Sequence, residues 1–127
     1  MAEPPLILIV EDEPALRELM KVALGPGYRF VEAGDLAEAL ELVRARVPDV
    51  VLLDLMLPGG TGLDLLRAVR SERELAGVRV VVVSAWQSAD DRRGALEQGA
   101  DGFLGKPFSV DELSAIVHDP TEAQGAA

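Results

Sequence analysis

The sequence predicts an α/β domain built on a five-stranded parallel sheet that is covered by helices on both faces. Short apolar runs rich in Val and Leu alternate along the chain with longer segments whose apolar residues recur at helical spacing. The apolar runs have no alternating polar face, which is typical of strands buried on both sides. Strict alternation of strand and helix favours a doubly wound parallel sheet. At 127 residues, the chain has the size of one domain.

The predicted strands are short segments rich in Val, Ile and Leu. The first, third and fourth are nearly continuous apolar runs, whereas the second and fifth are weaker. Runs of this length are shorter than an ordinary helix, which favours strands. In chain order, the predicted strands are residues 6–10, 28–31, 50–53, 80–83 and 102–104.

The predicted helices have capping residues at their starts and Gly or Pro near their ends. Pro14 opens the first helix, and Asp35, Ser88 and Ser109 are placed to cap the second, fourth and fifth. The stops are Gly25-Pro26-Gly27, Pro48, Gly77, Gly99 and Pro120. The first and last helices are expected on one face of the sheet, and the other three on the opposite face.

The helix residues that we expect to face the core repeat three or four positions apart. In chain order they are Leu16, Leu19, Met20, Ala23, Leu24, Leu36, Leu40, Val43, Val47, Leu63, Leu65, Leu66, Val69, Ala95, Leu96, Val110, Leu113, Ile116 and Val117.

Composition excludes several classes of function. The net charge of −10 disfavours direct binding to nucleic acid or to an anionic membrane. The chain has no cysteine, so disulfides and thiolate metal sites are excluded, and His118 alone makes a histidine-based metal site or a Ser-His-Asp triad improbable. Residues 1–5 lack the pattern of a signal peptide, and apolar runs are too short to span a bilayer. A cytoplasmic protein is therefore expected.

Polar residues follow the predicted strands at the ends where parallel sheets bind their ligands. Glu11 and Asp12 follow the first strand, Asp54 the third, Ser84 the fourth and Lys106 the fifth. Three carboxylates held close together repel one another and call for a cation, and oxygen ligands without nitrogen or sulfur suit Mg²⁺. An ammonium and a hydroxyl beside such a cation form a pocket for a phosphoryl group.

The central carboxylate of this group is the predicted nucleophile. Asp54 follows the third strand, in the middle of the sheet, and a carboxylate can accept a phosphoryl group covalently.

These residues lie in motifs that resemble the receiver domains of bacterial two-component response regulators, the CheY-like superfamily. The resemblance extends over residues 6–117. The matching segments, in order, are Val10-Glu11-Asp12-Glu13-Pro14, Leu53-Asp54-Leu55-Met56-Leu57-Pro58 with Gly62, Ser84-Ala85, and Gly99-Ala100-Asp101-Gly102-Phe103-Leu104-Gly105-Lys106-Pro107-Phe108. Each motif alone is common, but their combination in this order and spacing is specific.

The resemblance implies a flavodoxin-like (βα)5 fold with strand order 2-1-3-4-5, and it implies a role for each site residue. Glu11 and Asp12 correspond to the acidic pair that binds Mg²⁺, for which Mn²⁺ is an acceptable substitute. Asp54 corresponds to the phosphoacceptor and also to a metal ligand, and the backbone carbonyl of Met56 to a further ligand. Ser84 corresponds to the switch hydroxyl and Lys106 to the lysine that contacts the phosphoryl group.

Two further features follow from the same resemblance. Phe103 corresponds to the switch aromatic, which turns inward when Ser84 moves toward the phosphoryl group. The peptide bond before Pro107 is often cis in the family.

The implied partners are proteins. A histidine kinase or phosphotransfer protein would donate the phosphoryl group, as would a small phosphodonor, and the domain would catalyse only its own phosphorylation and dephosphorylation. The surface of the fourth helix, fifth strand and fifth helix would then bind a downstream protein or an attached effector domain. The chain is expected to be a monomer or a phosphorylation-dependent dimer, with the receiver in residues 1–120 and a tail in residues 121–127.

Met56 and Trp86 stand two positions after Asp54 and Ser84, where the family places residues that border the phosphoryl group. Both are bulky and apolar, so they predict slow self-dephosphorylation. His118 is interpreted as a solvated residue at a helix end and not as a catalyst.

Three alternatives remain at this point. A flavin-binding protein of the same fold is disfavoured because the first loop is acidic and lacks a Gly-rich phosphate loop. A haloacid-dehalogenase-type phosphatase would have a second Asp two residues after its nucleophile, where this chain has Met56. A degenerate receiver that acts as a phosphorylation-independent docking module is the main alternative.

Overall fold

The computed structural model describes residues 3–118, which form a parallel sheet with helices on both faces. The strands of this sheet are β1 (Leu6–Val10), β2 (Arg29–Ala33), β3 (Val50–Leu53), β4 (Arg79–Ser84) and β5 (Gly102–Gly105). The helices are α1 (Pro14–Leu24), α2 (Leu36–Arg46), α3 (Gly62–Ser71), α4 (Ala89–Glu97) and α5 (Val110–His118). All neighbouring strands are parallel and follow the order β2-β1-β3-β4-β5, so the predicted fold class and strand order are confirmed.

The sheet separates two apolar cores. On one side, Met20 and Leu24 of α1 and Leu113 of α5 pack against alternate residues of the central strands. On the other side, residues of α2, α3 and α4, such as Val43 and Leu66, pack against the remaining strand residues. The predicted division of helices between the two faces is therefore confirmed. Both faces of β1 and β3 are buried, which explains why these strands lack polar residues.

Local hydrogen bonds define the helix ends that the sequence predicts. The Asp35 side chain accepts a hydrogen bond from the Glu38 amide, and Ser88 forms a reciprocal capping box with Asp91. Gly25 ends α1 with a positive φ of 82°, a conformation that glycine adopts without strain. The capping predictions at these positions are confirmed.

Three residues predicted to face the core are exposed. Leu19 lies at the edge of the apolar stripe of α1, Val47 follows the last residue of α2, and Val110 occupies the first turn of α5. Val47 has a left-handed backbone with φ of 43°, which turns its side chain away from the inner face of α2. Periodicity alone predicted these three positions wrongly because it fixes neither the width of a buried stripe nor the residues at which a helix begins and ends.

Two short elements were absent from the sequence-based prediction. Met56–Leu57 pairs with Gly60–Thr61 in a two-stranded antiparallel ribbon between β3 and α3. A single 3-10 turn, Arg73–Leu75, follows α3 and buries Leu75 before the chain reaches Gly77. The third helix therefore ends at Ser71, earlier than its glycine stop suggested.

Within residues 3–118, no helix has the length and apolar character needed to cross a membrane. The predicted tail at residues 121–127, the domain boundary at residue 120 and the stop at Pro120 lie outside the described residues.

Candidate metal and phosphoryl site

Two adjacent strands deliver the central acidic residues to the same edge of the sheet. Glu11 directly follows β1, and its amide donates to the Ala33 carbonyl at 3.0 Å. Asp54 directly follows β3, and its amide donates to the Val10 carbonyl at 3.0 Å. These bonds continue the parallel ladders by one residue, so the positions of both residues are fixed by the sheet.

The sheet edge brings together the three carboxylates that the sequence predicts. Glu11, Asp12 and Asp54 each offer one oxygen, and these oxygens all lie within 4.8 Å of one another. Glu11 and Asp54 are 2% and 5% exposed, whereas Asp12 is exposed to solvent. An all-oxygen donor set that is open on one side fits Mg²⁺, which keeps several water ligands.

Lys106 directly follows β5, which lies two strands away from β3, and its side chain reaches this acidic group. Its ammonium donates to Glu11 Oε1 at 2.7 Å and to Asp54 Oδ2 at 3.0 Å. The Lys106 amide also donates to the Ser84 carbonyl at 2.9 Å, and the bond to Pro107 is cis, as the resemblance implied. The ammonium therefore neutralises part of the charge that the sheet concentrates here.

The second oxygen of each buried carboxylate accepts a backbone hydrogen bond. Glu11 Oε2 accepts from the Glu13 amide at 3.1 Å, and Asp54 Oδ1 accepts from the Met56 amide at 3.0 Å. Each carboxylate is thus oriented by one ammonium and one amide. The amide contact also places the Met56 backbone beside the acidic group.

Burial and neighbouring charges shift the pKa values of two groups in the site, Glu11 and Lys106, and both pKa values are raised. Burial raises the pKa of Glu11, and the nearby Asp54 charge adds to this effect, although hydrogen bonds from Lys106 and the Glu13 amide oppose it. Burial disfavours the charged form of Lys106, but its hydrogen bonds to Glu11 and Asp54 outweigh this effect and raise its pKa. Lys106 is therefore a firmly charged ammonium at neutral pH.

The two predicted switch residues lie on neighbouring strands next to the site. Ser84 is fully buried at the end of β4, and its hydroxyl oxygen accepts a hydrogen bond from the Trp86 amide at 3.1 Å. Phe103 is only 7% exposed, and the Arg92 guanidinium lies 5.0 Å from the centre of its ring. The ring is thus already packed inward here, and its movement on phosphorylation stays a prediction.

The side chains of Met56 and Trp86 are both substantially exposed. Trp86 also lines a cleft of about 200 Å³ between α3 and α4, together with Leu55, Thr61 and Leu63. Their expected effect on the lifetime of a phosphoryl group stays a prediction. His118 is exposed at the end of α5.

Sequence reasoning missed two residues that contact the site through its backbone. Arg17 Nη1 donates to the Glu11 carbonyl at 2.6 Å, and Gln87 Nε2 donates to the Lys106 carbonyl at 2.7 Å. Both look like ordinary surface residues in the sequence, and only the fold shows which carbonyl each one reaches.

Comparison with known proteins defines the class to which this fold and site belong. A sequence model described as the response regulator receiver domain matches residues 7–118, so the chain belongs to the family of receiver domains of two-component systems. The receiver domain of the response regulator NarL from Mycobacterium tuberculosis is 40% identical, with a TM-score of 0.84 over 95% of this chain and 98% of that one.

Curated relatives in the same family are about twice as long. The probable transcriptional regulatory protein TcrX of Mycobacterium tuberculosis is 40% identical over 112 residues, which are 87% of this chain and 47% of that protein. The KDP operon transcriptional regulatory protein KdpE of Escherichia coli is 43% identical over 110 residues, 86% of this chain and 48% of that protein. The chain therefore spans about half the length of the curated relatives that it matches.

Proposed function

We propose that this receiver domain accepts a phosphoryl group on Asp54 in a reaction that requires Mg²⁺. The donor would be the phosphohistidine of a histidine kinase or phosphotransfer protein, or a small acyl phosphate. The observation that carries the proposal is the placement of Asp54, a buried carboxylate that lies within 3.0 Å of the Lys106 ammonium and beside two further carboxylates. Two buried carboxylates this close together are costly, and they have no evident structural purpose.

The proposed reaction is a displacement at phosphorus. One Asp54 oxygen attacks, the bond from phosphorus to the donor nitrogen or acyl oxygen breaks, and the leaving group keeps the electron pair. Lys106 and the Ser84 hydroxyl would bind the phosphoryl oxygens as they gain charge, which lowers the barrier through fixed, preorganised donors. Glu11, Asp12, Asp54 and the Met56 carbonyl would hold Mg²⁺, which neutralises charge on the transferred group.

The proposed output is a change in the surface formed by α4, β5 and α5. Movement of Ser84 toward the phosphoryl group would alter the packing of Phe103 and hence of α4, because Phe103 contacts Arg92 of that helix. Several relatives are named as DNA-binding or transcriptional regulators. We therefore propose that the partner is an effector, attached or separate, that regulates transcription, while this acidic domain does not itself bind DNA.

Intact mass spectrometry after incubation with acetyl phosphate and Mg²⁺ tests the phosphoacceptor directly. We expect one added phosphoryl group on the wild-type chain and none on Asp54→Asn or in the presence of EDTA. Asp111→Asn is the matched control, because it makes the same chemical change on an exposed residue of α5. This control should gain the group as the wild type does.

An adduct that persists in Asp54→Asn would contradict the assignment. Absence of any adduct, together with absence of a beryllofluoride-induced change in the fluorescence of Trp86, would favour the phosphorylation-independent docking module. Trp86 is the only tryptophan of the chain, so this signal has a single origin. The fluorescence measurement also separates a missing reaction from very rapid hydrolysis.

A further inference from the structure

Arg17 connects α1 to the peptide that joins the two adjacent acidic residues of the site. Its Nη1 donates to the Glu11 carbonyl at 2.6 Å, and this carbonyl belongs to the peptide unit between Glu11 and Asp12. The Arg17 side chain is only 19% exposed. Because this hydrogen bond fixes the peptide unit, it also fixes the backbone orientation at Asp12. The exposed Asp12 side chain projects from that backbone.

The guanidinium is itself held from the other side. Arg17 Nε donates to Glu32 Oε1 on β2 at 2.9 Å, and Lys21 donates to the second oxygen of Glu32 at 2.9 Å. The hydrogen bond from Lys21, aided by the one from Arg17, lowers the pKa of Glu32, so the carboxylate stays charged. Glu32 thereby keeps Arg17 directed at the loop between β1 and α1.

Coulomb's law alone predicts that Arg17 harms cation binding. A guanidinium next to a divalent-cation site repels the cation, so its removal should tighten binding if charge were its only effect. A residue that orients metal ligands has the opposite effect, and its loss typically weakens metal affinity by about 10- to 100-fold. The sign of the change in affinity therefore separates the two roles.

We infer that Arg17 is a positioning residue for the divalent-cation site, acting through the Glu11–Asp12 peptide. The inference rests on the proposed function, since it assumes that Glu11, Asp12 and Asp54 bind Mg²⁺. Arg17 donates to a backbone carbonyl and to Glu32, and not to the carboxylates that would bind the cation. It would therefore act by holding the loop in the arrangement in which the carboxylate oxygens lie together.

Titration with Mn²⁺ tests this inference. The electron paramagnetic resonance signal of the free ion measures how much Mn²⁺ is bound, and displacement by Mg²⁺ measures the affinity for Mg²⁺. We expect Arg17→Gln to weaken the binding of both ions by about tenfold relative to the wild type. Lys21→Gln is the matched control, because it removes the same charge from the same group of ion pairs without touching Glu11. This control should bind as the wild type does, or slightly more tightly.

Hydrogen exchange of the metal-free protein provides a second measurement that needs no bound ion. Arg17→Gln should speed exchange in the segment 11–15, and Lys21→Gln should leave it unchanged. Thermal melts of all three proteins show whether each variant is folded.

Equal or tighter Mn²⁺ binding by Arg17→Gln would overturn the inference, as would unchanged exchange in the loop. If the wild type binds no Mn²⁺, the proposed cation site is rejected, whatever the role of Arg17. The exchange data then still decide whether Arg17 fixes this loop.

Discussion

At the scale of single residues, Lys106 is the main electrostatic support of the site. Glu11 and Asp54 are almost fully buried, and the Lys106 ammonium contacts both of them. Without a counter-charge, two buried carboxylates this close would repel each other and lack solvation. The lysine proposed to bind the phosphoryl group therefore also stabilises the unphosphorylated fold.

We expect Lys106→Met to lower the free energy of unfolding at neutral pH by about 2 kcal/mol in the absence of divalent ions, since it leaves both carboxylates buried and unpaired. Urea unfolding followed by circular dichroism measures the change. Lys21→Met serves as the control, because Lys21 pairs with less buried carboxylates at the surface. Equal losses in the two variants would show that the position of Lys106 has no special importance for stability.

At the scale of elements, α1 is attached to β2 by charged side chains as well as by its apolar face. Glu32 of β2 accepts hydrogen bonds from Arg17 and Lys21 of α1, and these bonds lower its pKa. A carboxylate whose pKa is lower in the folded than in the unfolded chain stabilises the fold above its unfolded pKa. That contribution disappears as the pH falls through the folded pKa.

The stability difference between wild type and Glu32→Gln should therefore depend on pH. We expect the wild type to be the more stable of the two above pH 4.5, the ordinary pKa of a glutamate, and the difference to shrink steadily at lower pH. Urea midpoints measured across this range provide the test, with Glu41→Gln on the exposed face of α2 as control. A difference that stays constant with pH would show that Glu32 acts through packing and not through charge.

Strands and helix starts could be predicted from the sequence where the pattern that defines them lies within the element itself. The strands were found because both faces of β1 and β3 are buried, which leaves continuous apolar runs, and the helix starts because Asp35 and Ser88 cap their own chains. The exposure of Val47 was missed because this residue follows the last turn of α2 with a left-handed backbone, so helical periodicity no longer applies to it. The 3-10 turn Arg73–Leu75 was missed because its one buried residue gives no periodicity.

The same distinction applies to the site. The residues at strand ends were predictable, because parallel topology brings the carboxyl ends of all strands to one edge. Arg17 and Gln87 were not, since both lie outside the motifs and each donates to a backbone carbonyl, a contact that no sequence pattern reveals. Their contacts depend on side-chain directions that emerge only when helices and loops have packed against the sheet.

At the scale of the whole molecule, the proposed cation site couples local binding to global stability. Its carboxylates come from the β1–α1 loop and from the end of β3, and they converge only in the folded chain. A ligand that binds the native state alone stabilises it by mass action. The net charge of −10 adds a second effect, because any salt weakens the self-repulsion of the fold.

Mg²⁺ should therefore stabilise the protein more than NaCl of equal ionic strength. At a free concentration of 100 times its dissociation constant, the gain in the free energy of unfolding should be about 2.7 kcal/mol, and it should continue to rise with the logarithm of concentration. Asp12→Asn should lose most of this gain while keeping the response to NaCl, because Asp12 is exposed and its substitution leaves the core intact. Chemical unfolding at several concentrations of each salt provides the measurement. Identical responses to the two salts, or an undiminished Mg²⁺ effect in Asp12→Asn, would show that the acidic group interacts with cations only through nonspecific charge.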